Sequence, residues 1–310
     1  DIQNSPSGRG RGVFGGGAVP SGSYTSITDI SFVNIASQGN AISFGDLTGT
    51  HRSWLSSFSS ETRGIWSSGS DYPGNNRENI IDYVTIASEG DAIDFGDSTN
   101  TNGFSKASCS SSTRGLTAGG YTQPSNVNVN TIEYVQISTL GNALDFGDIA
   151  TATRGLSATG NPTRIVFAGG IQSNDTTDMT FVTISSKGNS VRFGDLTSAR
   201  RMDGHGNCSN SIRGLFMHAN APADTGIDFV TIASEGNAVF FADGLRASAS
   251  GVGEITCFSN NTRGVMGGGL NDPHSTSIQY VNIANTGQIF DFGTLERKKR
   301  GSAGLSDSHG

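Results

Sequence analysis

The sequence is poor in the residues that mark several large protein classes. Only 7 of its 310 residues are proline, and only 15% are charged, against about 25% in ordinary proteins. Asp and Glu number 27 against 20 Lys and Arg, so the net charge is −7. An acidic, weakly charged chain is not typical of nucleic-acid-binding proteins, and we expect no nucleic-acid partner. The charge is also too small for its length to predict disorder.

Cysteine and long apolar segments are also scarce. The three cysteines, Cys109, Cys208 and Cys257, form no Cys-x-x-Cys motif, so we expect neither a disulfide framework nor a structural zinc site. No apolar run approaches the roughly 20 residues of a transmembrane helix, so we expect no membrane span. No signal peptide is visible, and the first residue is Asp, which suggests a mature product or a piece of a longer chain.

Glycine is abundant, with 44 residues, and it belongs to a repeat. An arginine followed by a short apolar segment recurs about every 50 residues. These anchors are Arg11, Arg63, Arg114, Arg164, Arg213 and Arg263. Phe-Gly-Asp is a second mark, and it becomes Phe-Ala-Asp and Phe-Gly-Thr in the last two copies. The six copies cover the whole chain, 1–310, and predict a single domain.

Each copy is predicted to contain four short strands. The third strand has the same pattern six times, an aromatic residue followed by valine, as in Tyr83-Val84. Adjacent strand residues point to opposite faces, so both faces of each sheet are apolar and must be covered by neighbours. Small residues before each arginine suit a crowded innermost strand, and helical periodicity is absent. The sequence therefore predicts an all-β, six-bladed β-propeller with four antiparallel strands per blade.

The two ends of the sequence are complementary. The chain reaches its first anchor arginine almost at once, without a preceding strand of small residues. Residues 300–308 have the composition of that missing strand. We therefore expect 300–308 to complete the first blade and close the ring. A β-solenoid, the main alternative, would have no need of this complementarity.

The repeat resembles two known groups. The order of arginine, apolar pair, Gly-Gly and aromatic strand is similar to Kelch propeller repeats, although Phe95 and its equivalents stand where Kelch repeats usually carry Trp. Three phrases mark the repeat: Thr-Arg-Gly-x-x-x-Gly-Gly, Tyr-Val-x-Ile-Ala-Ser-x-Gly-Asn-Ala and Phe-Gly-Asp. They also resemble repeats in structural proteins of tailed bacteriophages, marine phages in particular. This resemblance implies a virion or extracellular location, with other virion proteins and a host-surface glycan or protein as partners.

Several residues could carry chemistry, but each has a structural interpretation. The repeated carboxylates Asp46, Asp97, Asp148, Asp195 and Asp243 are interpreted as turn caps rather than calcium ligands. The six anchor arginines could form an anion-binding ring, but we expect hydrogen bonds to a neighbouring turn. The cysteines are expected to be small buried fillers. The basic run 296–300 could bind phosphate, but we expect it to lie in solvent.

No motif predicts a catalytic residue, a metal ligand or a cofactor. The five histidines are scattered, and only His218 stands out, because it replaces the usual Gly-Gly. A copper site like that of the Kelch-type oxidases would need clustered Tyr, Cys and His residues, and the sequence shows no such cluster. The favoured function is a non-enzymatic structural or attachment protein of a bacteriophage. The alternative is a glycan-binding, lectin-like propeller. A glycosidase with carboxylates across the axis ranks third, because the Asp residues repeat instead of marking one place.

The loops between the second and third strands differ from copy to copy, whereas the turns between the third and fourth strands are nearly identical. Divergent loops are free for recognition. The variable loops are 18–28, 70–79, 121–130, 171–177, 220–226 and 270–277. Their candidate binding residues are Tyr24, Tyr72, Asn75, Asn76, Arg77, Tyr121, Asn126 and His274. Tyrosine faces with Asn and Arg hydrogen-bond donors suit a sugar or protein partner.

Overall fold

A computed structural model of the chain describes residues 10–21, 23–49, 51–74, 76–99, 103–203, 207–217, 226–243, 253–269 and 276–308. Asn75, His218 and His274 lie outside the described residues, as does most of the variable loops 220–226 and 270–277.

The described residues form 28 β-strands. In chain order they are β1 (Arg11–Gly15), β2 (Ala18–Ser21), β3 (Ser23–Ser26), β4 (Asp29–Asn34), β5 (Ile42–Asp46), β6 (Ser56–Ser59), β7 (Arg63–Ser67), β8 (Ile80–Thr85), β9 (Ile93–Asp97), β10 (Gly103–Phe104), β11 (Ala107–Ser110), β12 (Arg114–Ala118), β13 (Tyr121–Thr122), β14 (Thr131–Gln136), β15 (Leu144–Asp148), β16 (Ser157–Gly160), β17 (Arg164–Ala168), β18 (Asp178–Thr183), β19 (Val191–Asp195), β20 (Asn207–Ser209), β21 (Arg213–Phe216), β22 (Gly226–Thr231), β23 (Val239–Asp243), β24 (Thr256–Ser259), β25 (Arg263–Gly267), β26 (Ser277–Asn282), β27 (Ile289–Thr294) and β28 (Ala303–Ser306).

Twenty-four of these strands make six antiparallel sheets of four strands each. From the axis outwards, the sheets are β28-β1-β4-β5, β6-β7-β8-β9, β11-β12-β14-β15, β16-β17-β18-β19, β20-β21-β22-β23 and β24-β25-β26-β27. The innermost strands contact one another in a closed circuit, from β28 through β6, β11, β16, β20 and β24 back to β28. The predicted six-bladed β-propeller is therefore confirmed.

The ring closes where the last strand joins the first blade. Strand β28 pairs antiparallel with β1, with Leu305 opposite Val13. Oδ1 of Asp307 accepts the backbone N–H groups of Gly10 and Arg11 at 2.6 and 3.0 Å. In other blades a Ser or Asn at the same place, such as Asn161, caps the next anchor arginine. The closure thus reproduces a hairpin turn without a continuous chain.

The anchor arginines join neighbouring blades, as expected. Nη1 of Arg63 donates to the carbonyl oxygen of Ile137 in the next blade at 2.9 Å. Its guanidinium carbon also lies 4.9 Å from the ring centroid of Tyr83 in its own blade. All six anchors make both kinds of contact. Because each anchor arginine donates across a blade boundary, the six arginines hold the ring together. Their structural interpretation is therefore confirmed.

The Phe-Gly-Asp motif also joins blades, but the expected turn at Gly-Asp is wrong. These residues end the outermost strand, as in β9, where Phe95 is buried against Tyr83 with ring centroids 5.9 Å apart. The backbone N–H of Asp97 donates to Oδ1 of Asn142, in the third-to-fourth-strand turn of the next blade, at 3.0 Å. Four of the other five boundaries have the same bond. This contact explains why those turns are nearly identical.

Four short strands lie outside the blades. Strands β2 and β3 form a hairpin within variable loop 18–28, and β10 pairs with β13. Two of the variable loops, 18–28 and 121–130, therefore contain some regular structure. Among the described residues, no helix has the length and apolar character that a membrane crossing requires.

Candidate functional site

The propeller has two unlike ends. The loop end carries the loops between second and third strands and the linkers that lead from each blade to the next. The turn end carries the two sets of tight turns. Each linker contributes one residue with positive φ at an equivalent position: Trp54, Ser105, Gly155, Asp203, Glu254 and Gly301.

These six linker residues surround the axis at the loop end. The backbone N–H of Trp54 donates to the carbonyl oxygen of Gly301 at 2.7 Å, and that of Gly155 donates to Ser105 at 3.0 Å. Five such bonds link consecutive blades. Each of the six residues therefore bonds to at least one neighbour around the axis, and the linkers join the blades at this end.

The axial cavity has a volume of about 280 Å³ and extends towards the turn end. Its walls are the innermost strands, and their serines join the blades. Oγ of Ser110 donates to the carbonyl oxygen of Ser59 at 2.7 Å and accepts the N–H of the same residue at 3.2 Å. Among the described lining residues the one carboxylate is Glu61, in a turn at the mouth. The cavity therefore offers no pair of carboxylates across its axis.

The three cysteines lie in innermost strands and line this cavity, as their sequence positions indicated. Burial raises the pKa of the Cys109 thiol to about 12. The pKa of Cys208 is also raised by burial, with a smaller contribution from Cys257. A thiol that stays protonated at neutral pH is a poor nucleophile, so the geometry supports a packing role.

Four candidate binding residues lie in one cluster at the loop end. We call this the arginine–aromatic cluster, and its members are Tyr24, Trp54, Tyr72, Phe104, Tyr121, Arg77, Arg154 and Arg300. The ring centroid of Trp54 lies 6.2 Å from that of Tyr72 and 6.3 Å from that of Phe104. Phe104 lies 5.9 Å from Tyr121. These four rings therefore form a continuous series over the second and third blades and the linkers that precede them.

Arginines pack on this series of rings. The guanidinium carbon of Arg77 lies 4.5 Å from the Phe104 centroid and 4.6 Å from that of Tyr121. Arg77 also donates to the side-chain oxygen of Asn126 at 3.5 Å. Elsewhere in the cluster, the guanidinium carbon of Arg300 lies 3.5 Å from the ring centroid of Tyr24. The four predicted members of the cluster and Asn126 thus take part in this network, whereas Asn76 is exposed and hydrogen-bonds to Asp71.

Half of the cluster was missed by the sequence analysis. Trp54, Phe104, Arg154 and Arg300 come from the linkers between blades, not from the variable loops. The linkers lie at the same end as the variable loops, but candidate binding residues were predicted in the loops alone. Trp54 is one of only two tryptophans in the sequence. A rare, large aromatic residue in a linker was the sequence signal that could have indicated this part of the cluster.

The basic run 296–300 is not uniformly solvated. Lys299 is buried, and burial lowers its pKa to about 8. Nε of Arg300 lies 3.4 Å from Oε2 of Glu254. Arg297, in contrast, is exposed and pairs with Asp29. The expectation of a solvated loop is therefore wrong for Lys299 and Arg300, because both side chains fold back into the protein.

Two carboxylates lie close to the axis at the loop end. Burial raises the pKa of Glu254 to about 7, because the nearby Asp203 adds to the effect while Arg300 only partly offsets it. Nε of Arg201 lies 3.2 Å from Asp203. A proton-holding carboxyl beside a second carboxylate resembles the pairs used in glycoside hydrolysis. Here, however, both side chains are buried and each is paired with an arginine, which supports a structural role.

Buried ion pairs inside the blades are structural too. Oε1 of Glu133 accepts from Nζ of Lys106 at 2.7 Å and from Oγ of Ser98 at 2.6 Å. Burial alone would raise the pKa of Glu133, but the Lys106 charge and these hydrogen bonds lower it to about 2. The blades with Arg52–Asp82 and Arg200–Asp228 have equivalent pairs.

In the described part of the chain, no group of three or more His, Cys, Asp or Glu side chains is placed to hold a metal ion. Comparison with protein-family models finds no match for this sequence, and a search of the curated proteins finds none either.

Proposed function

We propose that this protein is a non-enzymatic recognition module of a bacteriophage particle, displayed on the virion and binding a partner through its loop end. The assignment to a virion rests on the resemblance of all six repeats to phage structural proteins. Its partners are then other virion proteins and a host-surface glycan or protein. The proposed binding surface rests on the arginine–aromatic cluster.

The arginine–aromatic cluster carries the proposal because it breaks the sixfold repeat. The turn end repeats the same blade-joining contacts, so its residues are constrained by the fold. The loop end instead places partly exposed aromatic rings and guanidinium groups together on three neighbouring blades. Aromatic residues and arginine are the side chains that contribute most to binding at protein surfaces.

The ring composition of the cluster favours a glycan as the host-surface ligand. Tyr72, Tyr121 and Trp54 combine flat apolar faces with polar tips, which suits a sugar ring and its hydroxyls. This makes lectin-like binding the second candidate function. It is compatible with the first, because an attachment protein can recognise a glycan.

Binding of labelled protein to host cells and to a glycan array tests the proposal. We expect Tyr72→Ala/Arg77→Ala to weaken binding at least about tenfold. Lys187→Ala is the matched control, because Lys187 stacks on Tyr134 at 4.8 Å on the turn end. Removing the Arg77 stack should lower the melting temperature by no more than a few degrees. Equal binding by the double variant, or equal loss in the control, contradicts the assignment.

A further inference from the structure

We infer that Arg77 and Arg154 form an anion-binding subsite at the loop end, and that its ligand is a sugar carrying a carboxylate or sulfate group. The inference rests on the proposed recognition function and names the ligand class of that surface. It depends on the arrangement of the two arginines around Tyr121.

Both guanidinium groups pack against the same ring. Their carbons lie 4.6 Å (Arg77) and 4.3 Å (Arg154) from the Tyr121 centroid. They are therefore less than about 9 Å apart, a separation comparable to the screening length of about 8 Å in physiological salt. Burial lowers the pKa of Arg77, and the charge of Arg154 lowers it further. Two positive charges thus lie together on a protein whose net charge is negative.

Neither arginine has a carboxylate partner among the residues that the structure describes. Arg77 donates at long distances, 3.4 Å to the Tyr121 carbonyl oxygen and 3.5 Å to Asn126. The side chain of Arg154 makes no hydrogen bond or ion pair to a described residue. The other arginines of the loop end differ, because Arg300 faces Glu254 and Arg201 faces Asp203. Most donors of the Arg77–Arg154 pair therefore remain available.

The chemistry of the pair selects an anion. A planar guanidinium presents its donors in a fork that matches the two oxygens of a carboxylate or sulfate. An anion would also relieve the repulsion between the two positive charges. Phe104 and Trp54 continue the surface away from Tyr121 and provide faces on which a sugar ring can stack. A charged group attached to a sugar fits both features together.

Titrations of the full chain with four monosaccharides, followed by NMR signals of the arginine Nε–Hε groups, test this subsite. Galacturonic acid and galactose 6-sulfate carry the two anionic groups, and methyl galacturonate ester and galactose are their neutral counterparts. We expect both acids, or one of them, to shift the signals of Arg77 and Arg154, with millimolar affinity. The neutral sugars should bind at least about tenfold more weakly.

Three variants complete the test. Arg154→Ala should weaken binding of the acidic sugar at least about tenfold, whereas Arg154→Lys should retain part of it because the charge remains. Lys187→Ala, on the turn end, should bind like the wild type. Unchanged melting temperatures show that the variants are folded.

The subsite is overturned if neutral and acidic sugars bind equally, if no sugar shifts these two signals, or if Lys187→Ala loses as much affinity as Arg154→Ala. These results leave the recognition function standing whenever the wild-type protein still binds host cells through its loop end. Conversely, acidic-sugar binding without any host-cell binding supports the subsite and contradicts the proposed function.

Discussion

Gly96 and Gly141 lie in contact across the boundary between the second and third blades, where a β carbon on Gly96 would be 2.6 Å from the Gly141 carbonyl oxygen. The backbone of Gly96 also has a φ of +146°, which favours glycine. Next to it, the N–H of Gly141 donates to the Phe95 carbonyl oxygen at 2.9 Å. The glycine of Phe-Gly-Asp is therefore required by the approach of the next blade.

Gly96→Ala should destabilise the protein by about 2–3 kcal/mol, because the added methyl group forces the blades apart and strains the backbone. The fifth blade offers a control, since Ala242 already occupies the equivalent position. Ala242→Gly should cost about 1 kcal/mol or less. Urea denaturation measures both, and equal effects would show that the boundary contact does not explain the motif.

Removing residues 300–310 should abolish cooperative unfolding or cause aggregation. The deletion takes away β28 and leaves the edge of β1 and its apolar face exposed. Calorimetry and light scattering give the measurement. A truncated protein that melts like the full chain contradicts closure by this strand.

The carboxylate that completes the closing turn allows a finer test. Asp307→Ala should destabilise the protein by about 1–2 kcal/mol, because two backbone N–H groups lose their acceptor. Asp307→Asn should be tolerated, since Asn161 makes the same contact in another blade. Burial raises the pKa of Asp307, so removing its charge carries no penalty of its own. If Asp307→Asn destabilises the protein as much as Asp307→Ala, acceptance of the two N–H groups does not explain the stability of the closing turn.

The fold could be predicted because each of its structural positions is repeated six times in the sequence. A column such as Tyr83 and its equivalents is visible without a structure, and the missing inner strand of the first blade pointed to 300–308. The role of Arg63 followed from its recurrence. The arginine–aromatic cluster could not be predicted as a whole, because Trp54, Phe104 and Tyr121 belong to different segments of the chain and meet only in the folded protein.

Buried charges were also beyond prediction from the sequence. Lys106 and Glu133 lie on different segments of the chain, and their pairing depends on the way a linker folds over a blade. Likewise, the turn assigned to Gly96-Asp97 was wrong because the local pattern gave no sign of the neighbouring blade that binds it. Local signals describe one blade, whereas these contacts form between segments.

Glu254 should make stability fall as the pH rises from about 4.5 to 7. Its pKa is about 7 in the folded protein, against an ordinary value of 4.5, so the folded state holds a proton that the unfolded state releases in this range. The loss is of the order of 1–3 kcal/mol. Glu254→Gln should flatten the stability curve in this window, as measured by urea denaturation at several pH values. An unchanged slope in the variant contradicts the assignment.

Glu133 should have the opposite effect at lower pH. Its pKa is lowered to about 2, so the stability it provides is present above about 4.5 and is lost as the pH falls towards 2. Lys106→Met should destabilise the protein by about 3–5 kcal/mol at neutral pH, because it leaves a buried carboxylate without its counter-ion. Adding Glu133→Gln should recover much of that loss. No recovery in the double variant would argue against ion pairing as the cause.

Hydrogen exchange of the protein alone and bound to isolated host envelope tests the central proposal most directly, because it locates the bound surface. The account predicts slower exchange in loops 70–79 and 121–130, around Arg77 and Tyr121, with little change in the turns that contain Gly90 and Gly141. Protection confined to those turns of the opposite end would contradict the assignment of the loop end as the recognition surface.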